Sequence, residues 1–256
     1  MTKIILSGAG GRLGGFIAES AKQRHEFEIV AGIELSPAAK ADFPLYTKPS
    51  EFDGEADVLV DCSHPSALAD ILEYAIPRGL PLVLCTTGYS DEQIAKVNAA
   101  AETLPIFRSA NMSLGIALLS AIAAEVAGIL GDSYDVEILE RHHRRKLDAP
   151  SGTALMLADS IRKALDNPVE YVYDRHERRR ERPRDEIGIS AVRGGTIVGD
   201  HEIIFAGTDE VIELKHSAQS RAVFAEGALR AAAYIASRTE PGLYQMDDLM
   251  QMYLGK

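Results

Sequence analysis

The 256-residue chain has few cysteines and no excess of positive charge. Its two cysteines, Cys62 and Cys85, each end a short apolar run, and two thiols alone are too few for a metal framework. Free cysteine packs as a small hydrophobe, so we expect both side chains to be buried. The formal net charge is −11, which argues against a nucleic-acid or anionic-membrane partner because either would need a basic surface.

The sequence also lacks a secretory signal and a long apolar run. The first apolar segment, Ile4 to Leu6, meets a glycine turn at once and is too short for a signal core. The longest apolar stretch, 116–130, contains Glu125 and falls short of the ~20 residues of a membrane span. We therefore expect a buried helix there and a soluble, cytoplasmic protein. Hydrophobic content of 46% and charged content of 25% are ordinary globular values, compatible with one large or two modest domains.

A glycine-rich turn joins the first predicted strand, 3–7, to the first predicted helix. Glycine permits the tight turn, lets the backbone approach a pyrophosphate and lets the helix pack closely on the strand. The glycines at 8, 11 and 14 fit Gly-x-x-Gly-x-x-Gly, whereas Leu13 breaks the commoner Gly-x-Gly-x-x-Gly. Strand, turn and helix in this order predict a dinucleotide site. Its candidate residues are Gly8, Ala9, Gly10, Gly11, Arg12 and Leu13.

An acidic residue follows the second predicted strand, 28–33. Glu34 lies 20 residues after Gly14, the spacing at which an acidic side chain accepts hydrogen bonds from the adenine-ribose diol. Such a carboxylate would also repel a 2′-phosphate. The alternative is a surface glutamate at the end of a strand.

Strands and helices alternate as far as residue 108. We predict strands at 56–61, 80–85 and 105–108 and helices at 65–75 and 90–103. Ser90 and Gln93 form a candidate capping box for the second of these helices. The alternation indicates a doubly wound parallel sheet, with ligands beyond the C-terminal ends of its strands. The segments at those ends are Ser63-His64, Cys85-Thr86-Thr87 and Ser109-Ala110-Asn111-Met112.

The segment from Arg141 to Lys146 contains only residues that are cationic or can become so. A helical pattern at 154–165 follows it, with Ser151 as its candidate N-cap. The backbone N–H groups of Gly152 and Thr153 would then point outward at the helix start, where unpaired donors and the helix dipole favour anions. A solvated basic face and an ordinary cap are the alternatives. Together the two features indicate a small acid held by two kinds of donor.

The remaining predicted elements indicate a second domain. Strands at 134–140, 187–193, 196–205 and 210–216 would form an open sheet that carries the basic segment, and 222–237 is a predicted helix. Residues 174–186 include six arginines and five acidic residues, so we expect an exposed, mobile loop there. The predicted fold class is therefore α/β, with an N-terminal Rossmann-type doubly wound parallel sheet and a second α+β domain with an open mixed sheet.

One string carries a family resemblance. The run His-His-x-x-Lys-x-Asp-Ala-Pro-Ser-Gly-Thr-Ala, from His142 to Ala154, closely resembles the signature of the dihydrodipicolinate (4-hydroxy-tetrahydrodipicolinate) reductase family of lysine and diaminopimelate biosynthesis. The segments 85–88 and 110–113 resemble the family's Gly-Thr-Thr-Gly and Ala-Asn-Phe-Ser, with Cys85 in place of glycine and Met112 in place of an aromatic residue. Further similar pieces lie at 192–201 and 216–221, so the resemblance covers essentially the whole chain.

The resemblance implies NAD(P)H-dependent reduction of 4-hydroxy-tetrahydrodipicolinate to tetrahydrodipicolinate, with loss of water. It implies a dinucleotide-binding domain at 1–112 and 221–256 and a substrate-binding and oligomerisation domain at 113–220, in a homotetramer. His142 would be the acid/base group and Lys146 the proton donor. The implied substrate-binding residues are His143, Lys146, Ser151, Gly152 and Thr153. Those implied beside the nicotinamide half of the cofactor are Cys85, Thr86, Thr87, Ser109, Ala110, Asn111 and Met112.

The choice between NADH and NADPH depends on the residues near Glu34. In the family the next residue is often basic and helps to accept the phosphate of NADPH, but here it is Leu35. Arg12 and Lys40 could partly compensate. We expect NADH to be used at least as well as NADPH.

Two other functions stay open on the sequence. Another amino-acid or aldehyde dehydrogenase with this cofactor fold would share the N-terminal pattern but not the string 142–154. A non-catalytic sensor would bind NADH without turnover. A zinc site formed by His142 and His143 with His176 or His201 is not favoured, because adjacent histidines point in different directions and no spacing matches a metal motif. We therefore expect a small dicarboxylate as the ligand and no metal, nucleic acid or membrane.

Overall fold

The computed structural model describes residues 1–36, 41–176 and 178–254. It divides the chain into two compact units. Unit 1 consists of Met1–Leu114 and Arg221–Lys256, and unit 2 consists of Gly115–Ser220. Lys40, considered above for phosphate binding, lies outside the described residues.

Unit 1 is built on a seven-stranded sheet. Its strands are β1 (Thr2–Ser7), β2 (Phe27–Ile33), β3 (Leu45–Tyr46), β4 (Val58–Asp61), β5 (Leu82–Leu84), β6 (Pro105–Arg108) and β12 (Gly242–Tyr244). Its helices are α1 (Arg12–Lys22), α2 (Leu68–Ala75), α3 (Asp91–Ala101), α6 (Ala222–Ala236) and α7 (Met246–Leu254). The strand order is β12-β6-β5-β4-β1-β2-β3, and every pairing is parallel.

The central strands of unit 1 are apolar on both faces. Residues 4–6 of β1, 58–60 of β4 and 82–84 of β5 are fully buried, as expected for parallel strands covered on both sides. The register pairs Ser7 with Asp61, Asp61 with Leu84 and Leu84 with Arg108. The C-terminal ends of four strands therefore form one row, and the segments predicted to bind the dinucleotide follow at that edge of the sheet.

Unit 2 contains a five-stranded mixed sheet and two long helices. Its strands are β7 (Asp135–His142), β8 (Glu170–Val172), β9 (Glu186–Arg193), β10 (Gly199–Ala206) and β11 (Val211–Ala218). Its helices are α4 (Leu114–Leu130), whose first residue belongs to unit 1, and α5 (Gly152–Ala164). The order is β11-β10-β7-β9-β8, with β7, β9 and β8 mutually parallel and β10 antiparallel to both its neighbours. The expected fold class is confirmed.

The core-facing row of β7 changes from apolar to polar along the strand. Successive side chains of a strand point to opposite faces, and in β7 every second residue is buried, namely Val136, Ile138, Glu140 and His142. Val136 and Ile138 pack against the apolar faces of α4 and α5. The alternation that places these two residues in the core also places a carboxylate and an imidazole on the buried face, at the strand's C-terminal end.

Most predicted elements are confirmed, with small shifts of their ends. The strand at 105–108 agrees at both ends, and the capping box of Ser90 and Gln93 is present. The sequence did not predict β3, β8, β12 or α7. The three strands have only two or three residues each, which is too short for a periodic pattern to emerge.

Helix α4 is less buried than expected. Ile116, Leu119 and Ala123 pack into unit 2, but Leu118, Ile122 and Ile129 on the other face are exposed. With the 3-10 turn that follows it, the helical segment Leu114–Ser133 has 20 residues. The expectation that this segment is too short to span a membrane is therefore wrong. By length and composition alone this segment could cross a membrane, a test that core helices of soluble proteins also pass.

The arginine-rich segment is a loop and most of its described residues are exposed, as expected, but some of its arginines are bound to the sheet. Arg182 donates hydrogen bonds to Glu137 at 3.0 Å and to Asp135 at 2.8 Å, and also to the backbone carbonyls of Val136, Pro183 and Glu186. Arg178 donates to the buried carboxylate of Glu186 at 2.9 Å, and Arg175 also bonds it. These arginines are held by carboxylates and carbonyls of β7 and β9 or next to them. Residue 177 of this segment lies outside the described residues.

Candidate active site

The glycine turn of unit 1 has the close contacts that its sequence predicts. Gly8 has φ of +81°, and a Cβ on Gly14 would lie 2.1 Å from the carbonyl oxygen of Gly8. Helix α1 then starts at Arg12 with Gly11 as its N-cap, and it has neither a side-chain cap nor an acidic residue in its first turn. The first N–H groups of a helix have no intrahelical partner and favour phosphate. The turn therefore fits a pyrophosphate.

Glu34 lies against this turn. Its carboxylate accepts hydrogen bonds from the backbone N–H of Gly10 at 2.7 Å and of Ser36 at 2.9 Å. Glu34 also lines a cavity of about 170 Å³, with Gly8, Leu35 and Asp70 among the other lining residues. None of the described residues that line this cavity is a lysine or an arginine. The cavity suits a ribose diol better than a 2′-phosphate.

Asp61 is a functional candidate that the sequence reasoning missed. It is fully buried at the end of β4 and accepts hydrogen bonds from the hydroxyl of Thr86 at 2.6 Å, of Tyr89 at 3.3 Å, and from the backbone N–H of Ser63 at 3.2 Å. It thus joins the loops that follow β4 and β5. The available signal was an acidic residue at the end of an otherwise apolar strand.

The two cysteines lie at the same edge of the sheet, after β4 and β5, and neither is reactive. Cys85 is buried, as expected, and burial raises the pKa of its thiol well above the ordinary value. Cys62 is half-buried, with its Sγ 3.2 Å from the carbonyl oxygen of Ser7, and burial raises its pKa to about 12. Thiolate is the reactive form of cysteine, so neither residue is suited to covalent chemistry at neutral pH.

The residues predicted to contact the nicotinamide lie in the loops after β5 and β6, and some of them are exposed while others are buried. Thr87 and Ala110 are exposed, whereas Thr86 is buried with its hydroxyl on Asp61. Met112 is only 3% exposed. In the loop 109–113, the Ser109 hydroxyl donates to the carbonyl of residue 111 at 2.7 Å, and the side-chain oxygen of residue 111 accepts from the N–H of residue 113 at 2.9 Å. This loop has a defined local geometry.

Glu140 is the centre of the polar cluster in unit 2. It is fully buried and accepts hydrogen bonds from Nδ1 of His142 at 2.6 Å, from the backbone N–H of Ser151 at 2.9 Å, and from both terminal nitrogens of Arg193 at 2.7 Å. Burial raises the pKa of Glu140, but these hydrogen bonds outweigh it and hold the pKa below its ordinary value. The carboxylate is therefore ionised at neutral pH.

His142 is a nearly buried imidazole on the same face. Burial lowers its pKa, an effect that the Glu140 carboxylate opposes and the charges of Lys146 and Arg193 reinforce. A Cβ on Gly199 would lie 3.0 Å from Nε2 of His142. The ring also lies edge-on to His201, with centroids 5.2 Å apart. Nδ1 of His142 is thus hydrogen-bonded to a carboxylate, and Nε2 faces a glycine.

The start of α5 has the predicted cap. The hydroxyl of Ser151 accepts a hydrogen bond from the backbone N–H of Ala154 at 3.1 Å, which confirms Ser151 as N-cap. The same hydroxyl shares a hydrogen bond of 3.0 Å with Nε2 of His201. Burial lowers the pKa of His201 to about 4, so this ring is neutral at neutral pH and adds no charge to the cluster.

Lys146 and the start of α5 contact a carboxylate of the chain itself. Nζ of Lys146 lies 2.9 Å from Asp148, and this hydrogen bond, together with one from the backbone of Gly152, holds the pKa of Asp148 below its ordinary value. The N–H expected to point outward at Gly152 therefore lies near a carboxylate of the chain itself. Arg193 also donates to the carbonyl of Asp148 at 2.6 Å, which connects this loop to Glu140.

The structure brings together several of the residues predicted from sequence as catalytic or substrate-binding. His142, Lys146, Ser151 and Gly152 belong to one cluster, whereas Nδ1 of His143 is buried without a hydrogen-bond partner among the described residues. Sequence reasoning did not assign roles to the residues that hold this cluster in place, which are Glu140, Asp148, Arg193 and His201. No group of three or more histidine, cysteine or acidic side chains within 1–36, 41–176 and 178–254 is placed to hold a metal ion.

Comparisons with family models cover both units. Residues 2–112 match the model described as dihydrodipicolinate reductase, N-terminus, and residues 115–250 match the model described as dihydrodipicolinate reductase, C-terminus. The matches thus extend over nearly the whole chain and support one assignment for both parts.

Curated relatives agree with the family models. A 4-hydroxy-tetrahydrodipicolinate reductase of Caldanaerobacter subterraneus subsp. tengcongensis is 48% identical over 251 residues, which cover 98% of this chain and 99% of that protein. The corresponding reductase of Clostridium novyi is 46% identical over 251 residues, with coverage of 98% and 99%.

Solved structures are similar in fold. A dipicolinate-bound dihydrodipicolinate reductase from Paenisporosarcina sp. TG-14 matches with a TM-score of 0.82 at 24% identity, covering 97% of this chain and 99% of that one. A myo-inositol dehydrogenase from Corynebacterium glutamicum matches with a TM-score of 0.60 at 17% identity, covering 94% and 90%.

Proposed function

This chain belongs to the dihydrodipicolinate reductase family, and we propose that it catalyses the NAD(P)H-dependent reduction of 4-hydroxy-tetrahydrodipicolinate to tetrahydrodipicolinate, with loss of water. This is a step of lysine and diaminopimelate biosynthesis. The observation that carries the proposal is the cluster of unit 2, in which a buried carboxylate fixes His142 beside the start of α5 and Lys146.

Unit 1 binds the dinucleotide in this proposal. The glycine turn and the start of α1 hold the pyrophosphate, Glu34 accepts hydrogen bonds from the ribose, and residues 85–87 and 109–112 lie beside the nicotinamide. The role of the glycine turn is supported by its tightness, because a Cβ on Gly8 or Gly14 would meet backbone atoms of the chain itself. The nicotinamide supplies the hydride when bound, which no protein side chain can do.

Unit 2 binds the dicarboxylate in this proposal. Lys146, His143 and the start of α5 at residues 152 and 153 hold a carboxylate, with Ser151 as the N-cap that fixes this helix start, because charged donors and a helix start both favour anions. His142 exchanges a proton during turnover, as an imidazole can near neutral pH, and Lys146 is the proton donor to the substrate. The Lys146 side chain is only 22% exposed and its Nζ lies beside the start of α5, which favours contact with a ligand bound there.

Removing the two proposed catalytic groups tests this function. A charge-assisted hydrogen bond contributes about 1.5–3 kcal/mol, so Lys146→Ala should lower kcat/KM by about tenfold to a hundredfold from binding alone. A larger loss concentrated in kcat would show a chemical role, and we expect the same of His142→Ala. The measurement is nicotinamide absorbance with freshly prepared substrate, combined with NADH binding followed by fluorescence.

A neighbouring cation provides the control for this test. Arg145→Ala removes an exposed positive charge from the same loop, and we expect little change in kcat. Near wild-type kcat in both His142→Ala and Lys146→Ala would contradict the assignment. If the wild-type protein binds NADH but does not reduce the substrate, the chain has another function, such as that of an amino-acid or aldehyde dehydrogenase or of an NADH sensor.

Cofactor preference is a second test. Because Glu34 holds a negative charge against the glycine turn and would repel a 2′-phosphate, we expect kcat/KM for NADH to equal or exceed that for NADPH. Glu34→Gln should improve NADPH relative to NADH, whereas Glu28→Gln, an exposed change on the preceding strand, should leave the ratio unchanged. A strong preference of the wild-type protein for NADPH would refute the prediction.

Location and assembly complete the proposal. We infer a cytoplasmic homotetramer that associates through unit 2, whose sheet has one face that is not covered by α4 or α5. The support is the pattern of β11, in which alternate residues are exposed and include Val211. Sedimentation of the purified protein measures the assembly directly.

A further inference from the structure

We propose that Glu140 is a positioning residue, which sets the nitrogen of His142 that takes part in the reaction and connects this ring to the start of α5. The proposal deepens the function proposed above and rests on it for the identity of the substrate. Its geometric basis is independent of that identity, because every contact it uses lies within unit 2.

All hydrogen-bonding positions on the Glu140 carboxylate are occupied. Oε1 accepts from the backbone N–H of Ser151 and from one nitrogen of Arg193, and Oε2 accepts from His142 and from the other nitrogen of Arg193. A carboxylate with no exposed surface needs such partners, because an unpaired buried charge is costly. The group is therefore fixed in position by donors from three different segments of the chain.

The contact with Glu140 determines how the His142 ring carries its protons. Since Nδ1–H donates to the carboxylate, the neutral ring has a bare Nε2, and the proton that His142 gains or loses is carried by Nε2. Nε2 faces Gly199, where a Cβ would lie only 3.0 Å away. Glycine at this position leaves the reactive side of the ring free of a side chain.

The same carboxylate also holds the proposed substrate-binding backbone. Its bond to the N–H of Ser151 fixes the N-cap of α5, and the Ser151 hydroxyl reaches His201, whose ring contacts that of His142. The imidazole and the helix start are thus connected through Glu140 and again through His201. A shift of the carboxylate would move both groups.

The charged groups around His142 shift its pKa in opposite directions. Lys146, Arg193 from β9 and the neighbouring His201 from β10 surround the ring with Glu140. Burial, Lys146 and Arg193 lower the pKa of His142, whereas Glu140 raises it. Loss of the negative charge should therefore lower this pKa further, whether His142 acts as an acid or as a base.

The test is Glu140→Gln, which keeps the shape and removes the charge. We expect kcat to fall by about tenfold to a hundredfold, the usual range when the partner that orients a functional group is lost. NADH affinity should stay unchanged. The limb of the pH–rate profile that belongs to His142 should move to lower pH by about one unit or more, since an opposite charge within hydrogen-bond distance shifts a pKa by that amount. Glu140→Asp should restore part of the rate.

Glu186→Gln is the matched control. Glu186 is also a buried carboxylate of this sheet and is also paired with arginines, Arg175 and Arg178, but none of its described partners is a histidine. A general effect on folding would lower kcat equally in both variants. We expect Glu186→Gln to lose stability while it keeps the wild-type kcat and pH profile.

A readout without turnover separates this proposal from the proposed function. NMR of the protein labelled at histidine reports the tautomer and titration of His142, and we expect a fixed Nδ1–H tautomer in the wild-type protein that is lost in Glu140→Gln. An unchanged tautomer together with wild-type kcat in Glu140→Gln would overturn the proposal, as would an equal loss of kcat in Glu186→Gln. If the wild-type protein fails to reduce the substrate, the proposed function fails and the NMR comparison still decides the role of Glu140.

Discussion

Among single residues, Asp148 lies against two of the donors that the proposed substrate needs. Its carboxylate bonds the ammonium of Lys146 and lies near the backbone N–H of Gly152. Asp148 is itself more than half exposed, so it can leave these donors without being desolvated. A substrate carboxylate would therefore replace a carboxylate of the chain rather than water.

This replacement predicts the effect of Asp148→Asn. An exposed ion pair contributes up to about 1 kcal/mol, so removing the internal anion should strengthen the binding of pyridine-2,6-dicarboxylate by up to about fivefold. Titration calorimetry at low ionic strength measures the change, and the gain should shrink as salt is added. Asp166→Asn, an exposed change beyond α5, is the control. Weaker binding in Asp148→Asn would show that Asp148 supports the ligand rather than competes with it.

Glu140 and Asp61 show what sequence reasoning about residues can and cannot find. The motif identified groups proposed to touch the ligand, such as His142 and Lys146, because their chemistry is distinctive. The buried carboxylates were missed because neither belongs to a recognised motif nor has the spacing from the glycine turn that singled out Glu34. Yet the alternation of β7 places Glu140 on the same face as Val136 and Ile138, so the signal was present for Glu140. Its pairing with Ser151 and Arg193 depends on contacts between distant segments, which the sequence alone does not specify.

Among the elements, the arginine-rich segment shows the limit of composition as evidence. A mixed run of charges predicts a solvated loop because such residues rarely bury. Arg182 is nevertheless only 17% exposed and is bound by carboxylates and carbonyls of β7 and β9. The pairing depends on where these strands place Asp135 and Glu137, which composition does not specify.

The segment therefore contributes to stability through particular arginines. Arg182→Ala removes several charge-assisted hydrogen bonds and should lower the free energy of unfolding by about 2–3 kcal/mol. Arg180→Ala removes a salt bridge of 3.6 Å to Glu186. The Arg180 side chain is 62% exposed, so the change should lower the free energy of unfolding by less than about 1 kcal/mol. Urea unfolding of both variants checks the difference. Equal losses of stability in the two variants would mean that the number of arginines matters and the place of each one does not.

Helix α4 shows a related limit. Its sequence is apolar around most of its circumference, which predicts burial without saying which face is buried. The structure buries Ile116, Leu119 and Ala123 and leaves Leu118 and Ile122 exposed. Only the packing within unit 2 distinguishes these faces, so the sequence predicted the helix but not its environment.

At the scale of the whole molecule, the fold class was predictable and the short elements were not. Apolar runs separated by helical patterns predicted the parallel sheet, and alternating segments predicted the mixed sheet. The edge strands β3, β8 and β12 have so few residues that their pairing partners define them. The order of strands within each sheet likewise depends on contacts across the chain.

The order of segments along the chain has a consequence for biosynthesis. Unit 2 is continuous, whereas unit 1 needs residues from both sides of it: β12 pairs with β6, and α6 packs against α1. A ribosome therefore delivers all of unit 2 before unit 1 is complete, and until then β6 presents an unpaired edge, a site at which nascent chains can aggregate. The dinucleotide-binding part, although it begins first, is the last to be finished.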